Sequence, residues 1–297
     1  MASNGDLLLG VDGGGTRCRA RLARRSGEVL AEGEAGPANL RLGHGEAFAA
    51  VLDAAGQCFA AAGLRNRDLA HTDACLALAG ASEPSDLAAA RRRPLPFRRT
   101  VIVSDAEAAC LGAHGGGDGA IVVVGTGSIG WAIVDGHRHR VGGWGFAVSD
   151  EGSGAWLGRE AIRRALWAHD GRAGWTPLLA AVFDRFARDP HAIVRWTATA
   201  RPGDYARVAA LVAAEAQRGD AAGVELMRAA AAHIDALAAR LVAIGARRVA
   251  PVGGLAQAIA PYLATETRRR LVAPQQDALA GALRLAGAAA PLPAAAE

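Results

Sequence analysis

The stretch IVVVGTGSIGWAIVDG, residues 121–136, decides the fold. It contains the pattern G-x-G-x-x-G at Gly125, Gly127 and Gly130, which in dinucleotide-binding proteins separates a strand from a helix. Here the glycines are followed by WAIVDG, an apolar and β-branched run that ends in a turn dipeptide. Such a run is typical of a second strand. The stretch therefore predicts a β-hairpin with a glycine-rich tip, and it argues against a nicotinamide site.

The same order of features occurs earlier in the chain. Residues 7–35 contain an apolar strand, the glycine run 13–15, an alternating strand, a turn and a third strand. Residues 120–143 repeat that order, and alternating helices and strands follow each unit. We therefore predict an α/β protein with two related halves. The run GGGDG at 115–119 suits a hinge, so we divide the chain into domains 1–115 and 116–297.

Composition excludes several classes of phosphate-binding protein. The 33 basic residues are all arginine, so neither a Walker A loop nor the strand lysine of eukaryotic protein kinases is present. The formal charge is only +4, and the arginine triplets 91–93 and 268–270 are most simply solvated faces or helix ends, so a nucleic-acid partner is not indicated. We find no leader pattern at the start and no apolar run of membrane-spanning length, so we expect a cytoplasmic protein without a membrane partner.

The glycine-rich tips are candidate phosphate sites, because amide groups in tight turns bind anions and glycine lets the backbone approach closely. Asp12 ends the first strand and could hold Mg²⁺ through water. The alternative is that the tips are ordinary turns. The candidate phosphate- and nucleotide-binding residues are Gly13, Gly14, Gly15, Thr16, Arg17, Gly125, Thr126, Gly127, Gly253 and Gly254.

Several polar residues have both a functional and a structural interpretation. Asp105 follows a predicted strand, where an aspartate either caps the next helix or removes a proton from a substrate hydroxyl. Asp150 could likewise cap a helix or contact a polar substrate. Asn39 in GPANL is either a turn residue or a hydrogen-bond donor to substrate. Trp144 is singled out only by its glycine neighbours.

Taken in order, these motifs resemble the sugar-kinase branch of the actin/hexokinase/heat-shock-protein-70 ATPase superfamily. More narrowly, they resemble the family shared by the BadF/BadG/BcrA/BcrD ATPases and N-acetylglucosamine kinase. GVDGGGTR resembles its first phosphate motif, VVGTGSIG the second and VGGLA the adenosine motif. SDAEAA resembles the segment with the catalytic aspartate, and GGWGFAVSDEGSG resembles the sugar-binding loop.

The resemblance implies two ribonuclease-H-like (actin-like ATPase) domains facing a nucleotide cleft, with ATP and Mg²⁺ as cofactors. It also implies a homodimer, and a last helix that packs back on the N-terminal domain. Asp105 becomes the catalytic base. The implied substrate-binding residues are Asn39, Asp105, Ser128, Gly143, Trp144, Gly145 and Asp150.

The substrate implied by the resemblance is an amino sugar. DGRAGWTPLL and PQQDALAGALRLAG are similar to bacterial glucosamine kinases, which favours phosphorylation of the 6-hydroxyl of D-glucosamine. Ile129 occupies a position where N-acetylglucosamine kinases usually have asparagine, but GGWG is more typical of those enzymes. N-acetylglucosamine or N-acetylmuramic acid is therefore the alternative acceptor. An ATPase that activates a partner enzyme is the alternative from another class, although the four scattered cysteines do not suggest the cluster it would need.

Overall fold

The computed structural model describes residues 6–81 and 83–288, and both predicted hairpins are present in it. The strands are β1 (Leu7–Gly13), β2 (Cys18–Arg24), β3 (Val29–Ala35), β4 (Thr72–Leu78), β5 (Arg99–Ser104), β6 (Gly119–Val124), β7 (Ser128–Val134), β8 (His137–Val141) and β9 (Val249–Val252).

The longer helices begin at the capping residues that the sequence offers. Ser153 and Asp220 cap the two helices that dominate the second half, and Gly245 ends the second of them with a φ of 118°. The α-helices are α1 (His44–Ala61), α2 (Pro84–Arg91), α3 (Asp105–Ala113), α4 (Gly154–His169), α5 (Pro177–Asp184), α6 (Pro190–Thr197), α7 (Pro202–Gln217), α8 (Ala221–Ile244), α9 (Ala256–Ile259), α10 (Thr265–Arg270) and α11 (Ala278–Gly287).

The first sheet is mixed and has the strand order β3-β2-β1-β4-β5. β1 and β2 pair antiparallel, whereas β1, β4 and β5 run parallel. In this register Gly13, Leu78 and Ser104 lie side by side, so the chain segments that follow them leave the sheet at one edge. The side chains of Phe48 and Phe59 on α1 are fully buried in the core beside this sheet.

The second sheet has the order β8-β7-β6-β9, which repeats the order of the first four strands of the first sheet. The repeated order explains why the sequence pattern occurs twice. The prediction of an α/β fold built from two related ribonuclease-H-like halves is confirmed.

The chain divides into two compact units. Among the described residues, the first unit contains 6–121, 131–139 and 273–288, and the second contains 122–130 and 140–272. The predicted boundary after residue 115 follows sequence order, whereas two later segments pack with the first unit. One of them is α11, which lies on α3 and β1. Gly281 permits this packing, because a side chain there would overlap the carbonyl group of Ala108.

Charged residues hold both ends of α11. At its start, Asp277 accepts from the amide of Ala280 and forms two hydrogen bonds with Arg21, at 2.9 and 2.7 Å. At its end, Arg25 and Arg99 donate to the last carbonyl groups, where cations are favoured by the helix dipole.

The sequence did not predict α2 or α6. Both have eight residues with proline in the first turn, and neither has a long apolar repeat. No helix in the described ranges is long and apolar enough to span a membrane.

Candidate active site

The first tip connects β1 to β2 and contains Gly14 to Arg17. It closes with a hydrogen bond from the Gly14 amide to the Arg17 carbonyl at 2.9 Å, and the Gly14 carbonyl accepts from Ala38 at 3.0 Å. Gly13 is required by packing, because a Cβ there would lie 2.7 Å from Leu78 Cδ2.

The exposed part of this tip presents amide donors. Within the described chain, the amides of Gly15, Thr16 and Arg17 have no hydrogen-bond partner in the protein. Three successive donors in one turn are suited to bind an anion such as phosphate. Arg17 also pairs loosely with Glu34, at 3.6 Å between two well-exposed side chains.

Asp12, the predicted magnesium ligand, pairs with Arg19 across the hairpin. Arg19 Nη2 lies 2.6 Å from Asp12 Oδ2. Burial opposes the charge on Arg19, but the hydrogen bond with Asp12 raises the pKa of this guanidinium above its usual value. One carboxylate oxygen is engaged by Arg19, and the partly exposed carboxyl group retains Oδ1 for a water molecule. Sequence reasoning missed Arg19, although its place opposite Asp12 follows from the hairpin register.

Asn39 lies next to the first tip. Its Oδ1 accepts from the amide of Arg41 at 3.0 Å, so the structural interpretation as a turn-capping residue is correct. Its Nδ2 atom lies 3.9 Å from the position that a Cβ of Gly15 would occupy. Oδ1 therefore accepts a hydrogen bond within the turn, while Nδ2 faces the first tip.

Asp105 is the first residue of α3, but it does not cap that helix. Ser104 is the cap, and its Oγ accepts from the amide of Glu107 at 3.2 Å. Asp105 Oδ1 accepts from the amide of Ala106 at 2.9 Å. Asp105 follows β5 and the first tip follows β1, and these strands end at the same sheet edge, two strand spacings or about 10 Å apart. Asp105 is therefore not the N-cap of α3, although its carboxylate accepts from an amide of the first turn.

A buried ion pair involves Glu107, two residues after Asp105. Glu107 and Arg138 are 6 % and 9 % exposed, and Glu107 Oε1 lies 2.8 Å from Arg138 Nε and 2.7 Å from Nη2. The pair joins α3 to β8. Sequence reasoning missed it; the available signal was a glutamate inside an otherwise apolar helix.

The second tip, Gly125 to Gly127, is attached to the beginning of α4. The carbonyl groups of Gly125 and Thr126 accept from the amides of Gly154 and Ala155, at 2.8 and 3.1 Å. These amides belong to the first turn of the helix, which needs outside acceptors. The amides of Thr126 and Gly127 have no protein partner among the described residues.

The predicted adenosine turn lies against the same tip. Gly253 has a φ of 102°, and a Cβ there would approach the carbonyl oxygen of Val124 to 2.5 Å. Leu255 donates to this oxygen at 2.9 Å. Gly254, by contrast, has open space around it. The structure thus brings together the second phosphate motif and the adenosine motif within the second unit.

Asp150 connects the second tip to the predicted sugar loop. It has a φ of 62°, which is uncommon outside glycine, and its Oδ1 accepts from the amide of Gly145 at 3.2 Å. A Cβ on Gly127 would lie 2.7 Å from Asp150 Oδ2. Ser153 caps α4, so the capping alternative for Asp150 is wrong.

The remaining predicted substrate residues surround the same loop. Ser128 donates from Oγ to the carbonyl group of Glu151 at 2.7 Å and is itself buried. Gly143 has a φ of 69°, and a Cβ there would lie 2.6 Å from Cβ of Ile129. Trp144 is 60 % exposed. Ile129 therefore packs under the loop that carries the exposed tryptophan.

The strand order and the glycine-rich tips are those of an actin-like α/β ATPase. The chain belongs to the BadF/BadG/BcrA/BcrD ATPase family, whose model matches residues 9–286.

Two of the three relatives named below cover nearly the whole chain. Glucosamine kinase GspK of Vibrio cholerae is 39 % identical over 95 % of this chain and 96 % of its own. An N-acetylmuramic acid/N-acetylglucosamine kinase of Clostridium acetobutylicum is 32 % identical over 60 % of this chain and 59 % of its own. A solved Chromobacterium violaceum structure, named as an N-acetylglucosamine kinase, is 39 % identical over 95 % of this chain and 99 % of its own, with a TM-score of 0.89.

Proposed function

We propose that this protein is an ATP-dependent amino-sugar kinase that transfers the γ-phosphoryl group to the 6-hydroxyl of D-glucosamine. The observation that carries the proposal is the position of Asp105. It begins α3 at the sheet edge from which the first tip also emerges, and the capping function belongs to Ser104. A carboxylate so placed can accept the proton of a substrate hydroxyl during phosphoryl transfer.

In this mechanism Asp105 orients the 6-hydroxyl and accepts its proton as the oxygen attacks the γ-phosphorus. The amides of Gly15, Thr16, Thr126 and Gly127 stabilise negative charge on the phosphate oxygens. Gly253 and Gly254 contact the adenosine. The sugar is bound by Asn39, by Asp150 and by the loop 143–145.

Mg²⁺ fits this arrangement through Asp12. Magnesium typically keeps several waters and uses one or two carboxylates together with substrate phosphates. The described residues contain no cluster of three or more acidic, histidine or cysteine side chains that would form an all-protein metal cage. Asp12 Oδ1 would hold a magnesium-bound water while Arg19 keeps Oδ2. The ion would neutralise phosphate charge during transfer.

The choice of glucosamine is supported by the Vibrio cholerae relative and by Ile129. An aliphatic side chain under the loop cannot form a hydrogen bond with an acetamido group. A second candidate is N-acetylglucosamine, which is favoured by the exposed Trp144 in GGWG and by the similarity to the Chromobacterium violaceum protein.

Two further expectations accompany the kinase proposal. We expect a homodimer on the basis of the family resemblance, and light scattering on the purified protein would measure it. We expect a cytoplasmic location because ATP is the phosphoryl donor.

An ATPase that activates an iron–sulfur partner is disfavoured by the cysteines. All four are buried, and burial raises the pKa of Cys18 and Cys110 to about 12. Such thiols do not supply the thiolates that a cluster needs.

The test is ADP release from Mg·ATP with glucosamine, N-acetylglucosamine, N-acetylmuramic acid, glucose or no sugar. We expect release that depends on glucosamine and yields glucosamine 6-phosphate. ADP release that depends on N-acetylglucosamine instead would show that N-acetylglucosamine is the acceptor sugar. Equal release with and without sugars would contradict the kinase proposal and favour an ATPase.

A further inference from the structure

One arginine holds the loop that follows β8. Arg140 donates from Nε to the carbonyl oxygen of Gly142 at 3.0 Å and from Nη2 to the carbonyl oxygen of Gly143. Its Cζ atom lies 4.0 Å from the centre of the Trp144 ring. A single guanidinium group therefore contacts three consecutive residues.

This loop needs an external support because its own backbone has little preference for one shape. Gly142, Gly143 and Gly145 all have positive φ, between 67° and 104°. Glycine adopts these angles freely but also loses more conformational entropy than other residues when it is fixed. A guanidinium is suited to fix such a segment, because its planar array of donors can bind two carbonyl groups while it stacks on an aromatic ring.

The support matters because Trp144 is exposed. The loop is held on its other side by Ile129, which packs against Gly143, and by Asp150, which accepts from Gly145. Trp144 itself projects with 60 % of its surface accessible, and Arg140 lies over its ring.

We propose that Arg140 is a positioning residue for the acceptor sugar. By fixing residues 142–145, it makes Trp144 a preformed platform for the carbon face of a pyranose. This inference rests on the proposed sugar-kinase function. It assigns Arg140 a role in substrate affinity, since a preformed loop does not lose conformational entropy when the sugar binds.

Arg140→Lys tests the inference, because lysine keeps the charge but cannot bind both carbonyl groups and stack. We expect the KM for glucosamine to rise about tenfold, equivalent to about 1.4 kcal/mol. The KM for ATP should change less than about twofold, and kcat should fall less than the KM for sugar rises. Arg172→Lys is the matched control, because Arg172 also lies over a tryptophan of the second unit, 5.3 Å from the Trp167 ring centre.

A second pair of measurements separates loop support from general folding. Hydrogen exchange of the 142–145 amides, measured without ligand, should become faster in Arg140→Lys and remain unchanged in Arg172→Lys. Trp144→Leu should raise the KM for glucosamine, and combining it with Arg140→Lys should raise it less than the product of the single effects. Arg140→Lys and Trp144→Leu should each have the same Tm as the wild-type protein.

The possible failures are distinguishable. If the wild-type protein uses glucosamine while Arg140→Lys keeps its KM, the inference is overturned and the kinase assignment stands. Unchanged hydrogen exchange would also overturn it. If the wild-type protein shows no sugar-dependent ADP release, the proposed function fails first, and the inference falls with it even when the loop amides exchange faster.

Discussion

The two glycine-rich tips have similar sequences but different supports. The first tip is fixed within its sheet, where Gly13 packs against Leu78. The second tip is fixed to a helix, since Gly125 and Thr126 accept hydrogen bonds from the first turn of α4. In both tips, amides of the described chain are left without a protein partner, so a similar set of donors is presented through different neighbours. A glycine run predicts such a turn, whereas the neighbours determine which glycine is indispensable.

The largest expected effect is on turnover, and it should differ between the carboxylates associated with the two tips. Asp105 shares a sheet edge with the first tip, and Asp150 lies beside the second. We expect Asp105→Asn to lower kcat about 10³-fold, because general base catalysis is lost. Asp150→Asn should instead raise the KM for sugar about tenfold with a smaller effect on kcat, since asparagine tolerates the positive φ of this position.

Steady-state kinetics with both substrates would check this contrast, with thermal melting and ATP binding as controls. Asp105→Asn should bind ATP as the wild-type protein does. A fully active Asp105→Asn protein would remove the base assignment. Equal losses of kcat in both variants would remove the proposed division of roles.

The next effect concerns the stability contributed by the ion pair between α3 and β8. Glu107 and Arg138 are both more than nine-tenths buried, so Glu107→Gln removes the carboxylate charge that faces the buried guanidinium group in this pair. We expect a loss of about 3 kcal/mol in the free energy of unfolding, at the lower end for a broken buried ion pair because glutamine still accepts a hydrogen bond. Urea denaturation would measure the loss.

A double variant provides the control for this ion pair. Replacing both partners, as in Glu107→Leu with Arg138→Met, should recover much of the lost stability because both charges of the pair are removed together. A single variant as stable as the wild-type protein would mean that the pair contributes nothing to holding α3 beside β8.

The sequence was informative where the local pattern itself determines the geometry. Strand alternation and turn residues were sufficient to predict both hairpins. The assignment of Asp105 could not be resolved locally, because Ser104 and Asp105 are both good capping residues and only the backbone geometry decides between them.

The contacts that hold the helices in place could not be predicted, because they connect residues that are distant in sequence. Glu107 meets Arg138 only after the second hairpin has folded, and Gly281 meets Ala108 only when α11 packs on α3. The predicted boundary at residue 115 followed chain order for the same reason. The candidate site residues were predicted from the glycine-rich tips and from the family resemblance.

A third comparison tests which glycine each tip needs. Gly127→Ala would bring a methyl group to 2.7 Å from Asp150 Oδ2, whereas Gly14→Ala meets only the Arg17 carbonyl oxygen at 3.4 Å. We expect Gly127→Ala to lower kcat/KM for glucosamine about thirtyfold, or about 2 kcal/mol. Gly14→Ala should lower it less than about threefold. Equal effects would indicate that glycine acts through backbone flexibility in both tips and not through the contact with Asp150.

The smallest effect distinguishes the two units by how they keep an aspartate ionised. In the first unit, a hydrogen bond with Arg98 lowers the pKa of Asp73 against the effect of burial, and Arg25 is a further partner. In the second unit, burial opposes the charge of Asp220, but hydrogen bonds from the amides of Leu178 and Gly223 lower its pKa. Both contributions to stability are therefore present above the unfolded pKa, near 3.8, and are lost as the pH falls through the lower folded values.

Added salt should weaken the contribution of Asp73 more than that of Asp220. The arginine side chains around Asp73 are about 40 % exposed, so salt screens their charge. The amides around Asp220 are buried hydrogen-bond donors. At pH 7 the difference in Tm between the wild-type protein and Asp73→Asn should shrink by about 2 °C between roughly 0.05 and 0.5 M salt. The corresponding difference for Asp220→Ala should stay constant, and both differences should decrease below about pH 4. Equal salt dependence would mean that the arginines stabilise Asp73 by hydrogen bonding alone, and that both units hold their aspartates in the same way.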